Sequence, residues 1–238
     1  MNYTPTPRTI VRRLKKRAAY DASVVHGILD EGFICHIGFA VDAQPYVIPT
    51  LYVREDEHLY FHGAVASRML RSLASGIAVC VTVTLVDGLV LARAAFHHSL
   101  NYRSVVVLGV AQPVQDRTER MHALKLLTNR LITGRWEEVR APNELELKQT
   151  MVLKLPLREV SAKVRSGPPV DEEEDYALPV WAGVLPIQTA LGNALNDDRV
   201  LAQVRQPDPA RFRCFIAFKI AENPVSPSGI AISDTLLR

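Results

Sequence analysis

The stretch from residue 59 to residue 68 contains side chains that together can hold a phosphate group. An apolar strand-like run ends at a glycine turn, and Ser67 and Arg68 then begin a helix-like pattern. The start of a helix presents free backbone N–H groups and a positive dipole end, Ser67 adds a hydroxyl donor, and Arg68 can donate to two phosphate oxygens. The pattern predicts a phosphate site. The alternative is that Ser67 only caps the helix and that Arg68 is a surface charge.

His62 and a second polar cluster are the other candidates for chemistry. His62 ends the strand beside the predicted phosphate site, where an imidazole can transfer a proton near neutral pH, and the alternative is a structural histidine. His97 and His98 are adjacent, and neighbours in a strand point to opposite faces, so we predict no metal site there. The chain lacks glycine-rich phosphate loops and a nucleophile elbow, which disfavours ATPases, Rossmann dehydrogenases and standard hydrolases.

The elements that must position these residues form a mainly antiparallel β pattern with a few helices. Capping residues and apolar spacing predict helices at 21–32, 66–74, 116–131 and 143–150. Strands are predicted at 33–41, 46–53, 59–62, 77–86, 90–95, 103–114 and 152–164, with a turn at Asp87–Leu89 and a bend at Pro156. Because strands and helices do not alternate regularly, the pattern favours a closed β-barrel over a doubly wound sheet.

Composition and charge limit the class of protein. The chain has 238 residues, is 48% hydrophobic and has a net charge of +3. Its longest apolar run, residues 77–91, is interrupted by polar residues, and residues 1–10 lack a secretory signal. The small net charge, and a basic arm without interleaved aromatic residues, disfavour nucleic-acid binding. The isolated Cys35, Cys80 and Cys214 are typical of a reducing compartment, so we predict a cytoplasmic protein with no membrane partner.

Three motifs occur in one order along the chain. They are Pro45-Tyr46-Val47-Ile48-Pro49-Thr50-Leu51-Tyr52, then Leu59-Tyr60-Phe61-His62 followed by Ser67-Arg68, and then Arg103-Ser104-Val105-Val106-Val107-Leu108-Gly109. This arrangement resembles the pyridoxamine-phosphate-oxidase-like, FMN-binding split-barrel superfamily over roughly residues 21–167. The run Phe61-His62-Gly63-Ala64 is most similar to the branch of nitroimidazole-resistance-type and pyridoxamine oxidase-related flavoproteins. Met69 follows Arg68 where oxidases of pyridoxine phosphate have lysine, so we do not predict that activity.

The resemblance implies a fold, an assembly and a set of site residues. The fold is a mainly β (α+β), six- to seven-stranded antiparallel split β-barrel with a few peripheral helices. The implied assembly is a homodimer with an FMN site at each end of its interface. The implied FMN-binding residues are Ser67 and Arg68 at the phosphate, backbone groups of Ile48, Pro49 and Thr50 at the ring, Thr82 and Thr84 at the ribityl chain or ring, His62, and Trp181 near the partner's flavin. The alternatives are that the threonines are ordinary strand residues and that Trp181 belongs to the core or to a structural dimer contact.

These inferences define a domain plan and a function. Residues 1–20 form a basic arm, residues 21–167 the FMN-binding barrel, and residues 168–238 an extension that docks partly on the barrel or on the partner. The expected function is FMN-dependent electron transfer from NAD(P)H to a small nitro- or quinone-like acceptor, with His62 as the catalytic residue. The alternative is a flavin or haem carrier or sensor without turnover.

Overall fold

A computed structural model describes residues 2–201, 203–208 and 211 of the chain. The strands in these ranges are β1 Ala18–Ala19, β2 Ile34–Val41, β3 Gln44–Leu51, β4 Val53–Glu55, β5 His58–Ala64, β6 Ala78–Leu91, β7 Ser99–Val110, β8 Gln112–Pro113, β9 Thr150–Pro156, β10 Glu159–Arg165 and β11 Gly183–Pro186. The α-helices are α1 Ala22–Glu31, α2 Arg68–Ala74, α3 Arg117–Leu131 and α4 Glu144–Gln149. Cys214 and residues 212–238 lie outside the described residues.

The strands form two antiparallel sheets that enclose one main core. A seven-stranded sheet has the order β1-β10-β7-β6-β2-β3, with β11 added to β6, and a four-stranded sheet has the order β4-β5-β9-β8. Alternate residues point inward, so that Val81 and Val107 of the larger sheet meet Phe61 and Leu153 of the smaller one, all of them fully buried. The predicted split-barrel fold class is confirmed.

A second, smaller core lies between the four-stranded sheet and two of the helices. Leu124 and Leu127 of α3 and Leu147 of α4 pack against Tyr60 and Val152, which point away from the main core. The helices therefore cover the outward face of the smaller sheet. No comparable layer among the described residues covers the outward face of the larger sheet.

The predicted turn at Asp87–Leu89 is wrong, because β6 continues through it as a single strand of 14 residues. The register against β7 shifts between Val86 and Gly88, which marks a bulge. Asp87 is bound there by Arg103, with Asp87 Oδ1 2.7 Å from Arg103 Nη2. A Cβ atom at Gly88 would lie 3.0 Å from the carbonyl oxygen of Leu185, so glycine accommodates the close approach of β11. The predicted strand at 77–86 and the first two residues of the one at 90–95 therefore form a single strand, and residues 92–95 are not in a strand.

The predicted strand at 152–164 is two strands in different sheets, and the predicted bend at Pro156 lies where they divide. β9 ends at Pro156 and pairs with β5, whereas β10 begins at Glu159 and pairs with β7. The chain crosses from one sheet to the other between them, and Leu157 N–H donates to the Glu57 carbonyl at 2.8 Å in that crossing. Pro156, the last residue of β9, has no backbone N–H and so cannot donate a hydrogen bond to a neighbouring strand.

The outward face of the larger sheet exposes apolar side chains. Leu100, Leu89 and Leu185 lie side by side on β7, β6 and β11, and their exposed fractions are 42%, 38% and 46%. We call these three residues the leucine row. Farther along the same face, Val86 is 41% exposed and Val47 is 65% exposed.

The segment after residue 165 is fastened to the barrel at two places. The Asp171 side chain is fully buried and accepts hydrogen bonds from Arg93 N–H at 2.9 Å and Ala94 N–H at 3.3 Å. Beyond it, β11 pairs with residues 88–91 of β6. No helix within the described ranges is long and apolar enough to cross a lipid bilayer.

Candidate functional site

Helix α2 and the loop before it position the predicted phosphate site. Ser67 caps the helix, with its Oγ accepting from Leu70 N–H at 3.4 Å, which leaves its hydroxyl proton free to donate. Leu70 and Leu73 bury one face of α2 in the main core. A Cβ atom at Gly63 would lie 2.9 Å from Leu70 Cδ1, so glycine lets this helix approach β5 closely. The opposite face of α2 is thereby fixed toward solvent.

That exposed face forms an open pocket of about 330 Å³ lined by Arg68, Arg71, Ser72 and Ser75. These residues recur at helical spacing, so they share one side of α2. Neither arginine forms a salt bridge with a carboxylate among the described residues. Ser75 Oγ donates to the Ser72 carbonyl at 2.7 Å, which leaves Ser72 as the second serine with a free hydroxyl. The pocket therefore presents two guanidinium groups and the Ser72 hydroxyl to an anion, and Ser67 lies next to Arg68 at the start of the same helix.

An aromatic contact orients Arg68 and connects the pocket with β3. The Arg68 guanidinium lies over the Tyr46 ring, 4.7 Å from its centroid, and Tyr46 stacks on Phe39 at 5.4 Å. β3 is the last strand of its sheet, so one of its edges has backbone groups that no neighbouring strand of that sheet pairs. Ile48 and Thr50 follow Tyr46 on the same face of β3, whereas Pro49 points outward opposite His36.

The comparisons with known proteins identify the family. A family model described as pyridoxamine 5'-phosphate oxidase matches residues 21–164. The chain belongs to the pyridoxamine 5'-phosphate oxidase family. The family predicted from the three sequence motifs is therefore confirmed.

Two solved structures in this family match most of the chain. The flavocytochrome Anf3 from Azotobacter vinelandii is 40% identical, with a TM-score of 0.82 over 87% of this chain and 96% of that one. The FAD and haem binding protein from Mycobacterium smegmatis is 34% identical, with a TM-score of 0.78 over 82% of this chain and 96% of that one. A chain provisionally named a 5-nitroimidazole antibiotic resistance protein, from Bacteroides thetaiotaomicron, also matches at 22% identity, a TM-score of 0.49, and coverage of 62% and 86%. A search of curated proteins found no significant match.

The His62 side chain does not line the pocket on α2. Its side chain lies on the face of β5 that also carries Tyr60 and pairs with Val152, toward the second core, whereas Gly63 faces Leu70 of α2. Burial lowers the pKa of His62, and no hydrogen bond to its ring occurs among the described residues. The neutral imidazole is therefore favoured, and the catalytic role of His62 stays a prediction.

The other predicted residues are spread over the larger sheet. Thr82 and Thr84 share the outward face of β6, as their spacing predicts, and pair across the sheet with Val106 and Ser104. Trp181 is 62% exposed and packs over Gly183 at the start of β11. This places it at the end of β6 opposite from α2, so one chain does not bring Trp181 to the pocket. The cofactor roles of these three residues stay predictions.

The residues that the sequence analysis missed are Arg71, Ser72 and Ser75. Their signal is visible in the printed sequence as an arginine one turn after Arg68 and serines one and two turns along the same helical face. In the described part of the chain, no group of three or more His, Cys, Asp or Glu side chains could hold a metal ion.

Proposed function

We propose that this protein is a flavin-dependent oxidoreductase that holds the phosphate of a flavin nucleotide at Arg68 and Arg71. The observation that carries the proposal is a pair of arginines on one face of α2 without carboxylate partners, together with the free hydroxyls of Ser67 and Ser72. Guanidinium groups bind phosphate through paired, charge-assisted hydrogen bonds. The names of the two similar proteins, a flavocytochrome and an FAD and haem binding protein, support a flavin as the ligand.

The chain's own residues would bind and orient this cofactor. Stacking on Tyr46 fixes the direction of the Arg68 guanidinium, and the free edge of β3 at residues 48–50 offers backbone groups to the ring system. A bound flavin supplies hydride acceptance from a reduced nicotinamide and electron delivery to a small nitro- or quinone-like acceptor. Burial lowers the pKa of His62 and favours its neutral ring, but the side chain faces away from the α2 pocket, so its proposed catalytic role rests on the resemblance alone.

We also propose a homodimer in which the outward faces of the two larger sheets meet. The leucine row and Val86 expose apolar surface on this face, and the segment that carries Trp181 lies at its edge. Two copies joined by a two-fold axis would bury the same patch on both. Trp181 of one copy could then approach the flavin of the other, as the resemblance implies.

The phosphate site is tested by cofactor titration. The absorption and fluorescence of added FMN and FAD would be followed in the wild type, Arg68→Ala, Arg71→Ala and, as a control at an exposed arginine of the basic arm, Arg12→Ala. Each pocket variant should bind flavin about 10- to 100-fold more weakly, because a hydrogen bond to a charged group is worth about 1.5–3 kcal/mol. Unchanged affinity in both pocket variants would refute the site. Chromatography of the flavin released from the purified protein distinguishes FMN, the form predicted from the sequence, from FAD.

Turnover is tested on the flavin-loaded protein. NADH or NADPH oxidation would be measured with a panel of nitroaromatic and quinone acceptors. Oxidation that requires both an acceptor and bound flavin supports the oxidoreductase. Flavin binding without oxidation of either nucleotide would favour the alternative function of carrier or sensor.

Haem is a second candidate ligand, because the names of both similar proteins include it as well as a flavin. Haem requires at least one axial ligand, and histidine is the commonest one in proteins. The described residues include the histidines of the chain, and one of them, His98, is both exposed and held in a defined orientation. We therefore propose that the protein binds haem in addition to flavin.

A further inference from the structure

We infer that the basic arm of one copy pairs with an acidic run of a second copy across the proposed dimer interface. The acidic run consists of residues 172–175, with the sequence Glu-Glu-Glu-Asp, in the extension that follows the barrel. The inference rests on the proposed homodimer and names two charged surfaces that would orient one copy on the other.

Charge is distributed unevenly along the chain. Residues 8–17 contain six lysine and arginine residues, and the first 20 residues contain no aspartate or glutamate. Because the whole chain has a net charge of +3 and the arm alone has a charge of +6, residues 21–238 together have a net charge of −3. The arm is therefore a basic segment on an otherwise slightly acidic molecule, and complementary charges of this kind direct one surface toward another.

Most cations of the arm have no counter-ion in their own chain. Arg8 binds Glu159. The other five form no salt bridge among the described residues, and four of them are exposed: Arg12, Arg13, Lys15 and Lys16. The 3₁₀ turn Lys15–Arg17 directly precedes β1, so this end of the arm is fixed at the edge of the larger sheet. The arm thus presents unpaired cations at a defined place.

A buried cation lies next to the arm and adds to its positive potential. Arg165 is 9% exposed, and its guanidinium donates to Asn101 Oδ1 and to the carbonyl oxygens of Gly167 and Pro168, not to a carboxylate. Burial, and then the charge of Arg17, lower the pKa of Arg165. Two cations that repel each other in this way would be stabilised by the approach of carboxylates.

The acidic run is the complementary surface. Its three glutamates are exposed and Asp175 is half-buried. Glu172 lies 3.6 Å from His97, and no lysine or arginine among the described residues forms a salt bridge with any residue of the run. Asp171, directly before the run, is bound by Arg93, and a 3₁₀ turn, Glu173–Ala177, follows. The carboxylates therefore belong to a segment that is fastened to the barrel.

The two surfaces lie at opposite edges of the larger sheet but toward the same end of its strands. The arm adjoins β1 beside the end of β10, whereas the run follows Asp171, which is held at Arg93 just beyond the end of β6. β1 and β6 are three strand spacings of about 4.8 Å apart, so the two surfaces do not meet within one chain.

Two-fold symmetry brings these surfaces together. An axis parallel to the strands, between two facing larger sheets, keeps the same strand ends together but exchanges the edges. The arm of each copy then lies opposite the acidic run of the other, once on each side of the leucine row. A second copy is therefore the partner that the chain's own charges fit.

The test is a charge exchange between two variants of the full-length protein. The arm variant combines Arg12→Glu, Arg13→Glu, Lys15→Glu and Lys16→Glu, and the run variant combines Glu172→Lys, Glu173→Lys, Glu174→Lys and Asp175→Lys. The dimer dissociation constant of each variant alone, measured by analytical ultracentrifugation, should rise at least about tenfold, because like charges then face each other on both sides. The wild-type dissociation constant should rise with salt.

The deciding measurement is the mixture of the two variants. Each arm should then face a run of opposite charge, so energy transfer between differently labelled copies should show a heterodimer with an affinity near that of the wild-type dimer. The control Lys148→Glu/Arg158→Glu reverses two exposed cations away from both surfaces. It should dimerise as the wild type does and should not restore dimerisation of the run variant. Circular dichroism checks that every variant is folded.

The possible failures are distinguishable. If both variants dimerise as the wild type does while Leu89→Asp dissociates, the homodimer stands and the charge pairing is refuted. If both variants dissociate but do not pair with each other, or the control acts as the arm variant does, the charges act non-specifically and the inference fails. Binding of duplex DNA or phosphatidylserine vesicles that is lost in the arm variant, with dimerisation unchanged, would assign the arm to a polyanion instead. If the wild type is monomeric, the inference and the proposed homodimer fail together, while the flavin titration is unaffected.

Discussion

The inward and outward faces of β6 differ in what covers them, although both carry apolar residues. Val81 and Val83 point inward and are 0% and 1% exposed, because the second sheet and α1 of the same chain cover them. Val86 and Leu89 belong to the outward face and are 41% and 38% exposed. The chain thus buries the apolar residues on one side of β6 in its own core and leaves comparable residues on the other side exposed to solvent. The inward face stabilises the fold, and we propose that the outward face serves assembly.

The largest effect should come from the inward side. Phe61 is fully buried between the sheets, and Phe61→Ala removes a ring that its neighbours cannot replace. We expect the free energy of unfolding, measured by urea titration, to fall by about 3–5 kcal/mol. Val47→Ala, at a residue 65% exposed on the outward face, should change it by less than about 0.5 kcal/mol. Similar losses in the two variants would remove the distinction between the faces.

An intermediate effect is expected on assembly. Leu89→Asp puts a charge at the centre of the leucine row, between Leu100 and Leu185, where the proposed dimer would leave it unpaired. We expect the dimer dissociation constant, measured by analytical ultracentrifugation, to rise roughly 30-fold or more, as for the loss of a contact worth about 2 kcal/mol. Circular dichroism should remain that of the wild type. The control Val139→Asp alters a residue 38% exposed, outside the larger sheet. Equal weakening in both variants would contradict the proposed interface.

The smallest effect concerns a histidine on the covered side of the smaller sheet. Burial lowers the pKa of His62, so the unfolded chain binds its proton more readily than the folded one. Stability is therefore lost as the pH falls through the ordinary histidine value of about 6.5 toward the lower folded value. His62→Gln should flatten the dependence of unfolding free energy on pH between about pH 5 and pH 7. His36→Gln serves as the control for removing one histidine, and a wild-type slope in His62→Gln would speak against burial as the cause.

The elements predicted from the sequence were those whose signals are local. The helices α1 to α4 begin and end within two residues of their predicted bounds, because caps and apolar spacing lie within each segment. The errors occurred where distant residues decide. An Asp-Gly pair is a common turn signal, but here Arg103 binds Asp87 and β11 packs on Gly88. Likewise, Pro156 predicted a bend, but the sheet that the chain joins after it is decided by the pairing of β10 with β7, a strand distant in the sequence.

The candidate site was predicted in part for a similar reason. Ser67 and Arg68 were visible as the start of a helix, and Arg71 and Ser72 could have been found from the same helical spacing. The contact of Arg68 with Tyr46 joins residues from different elements, and only the folded chain reveals it. The same holds for the placement of His62 on the far face of β5, since the direction of a strand's faces depends on its partners.

One edge of β6 is shared by two strands that are far apart in the chain. β2 pairs with residues 80–82, and β11 pairs with residues 88–91. Without β11, the backbone N–H and C=O groups along residues 88–91 of β6 would be exposed to water. An exposed strand edge of this kind can pair with a strand of another chain. Four residues of the extension, which lie outside the matched family region, thus cover an edge of β6 that would otherwise be open to pairing with another chain.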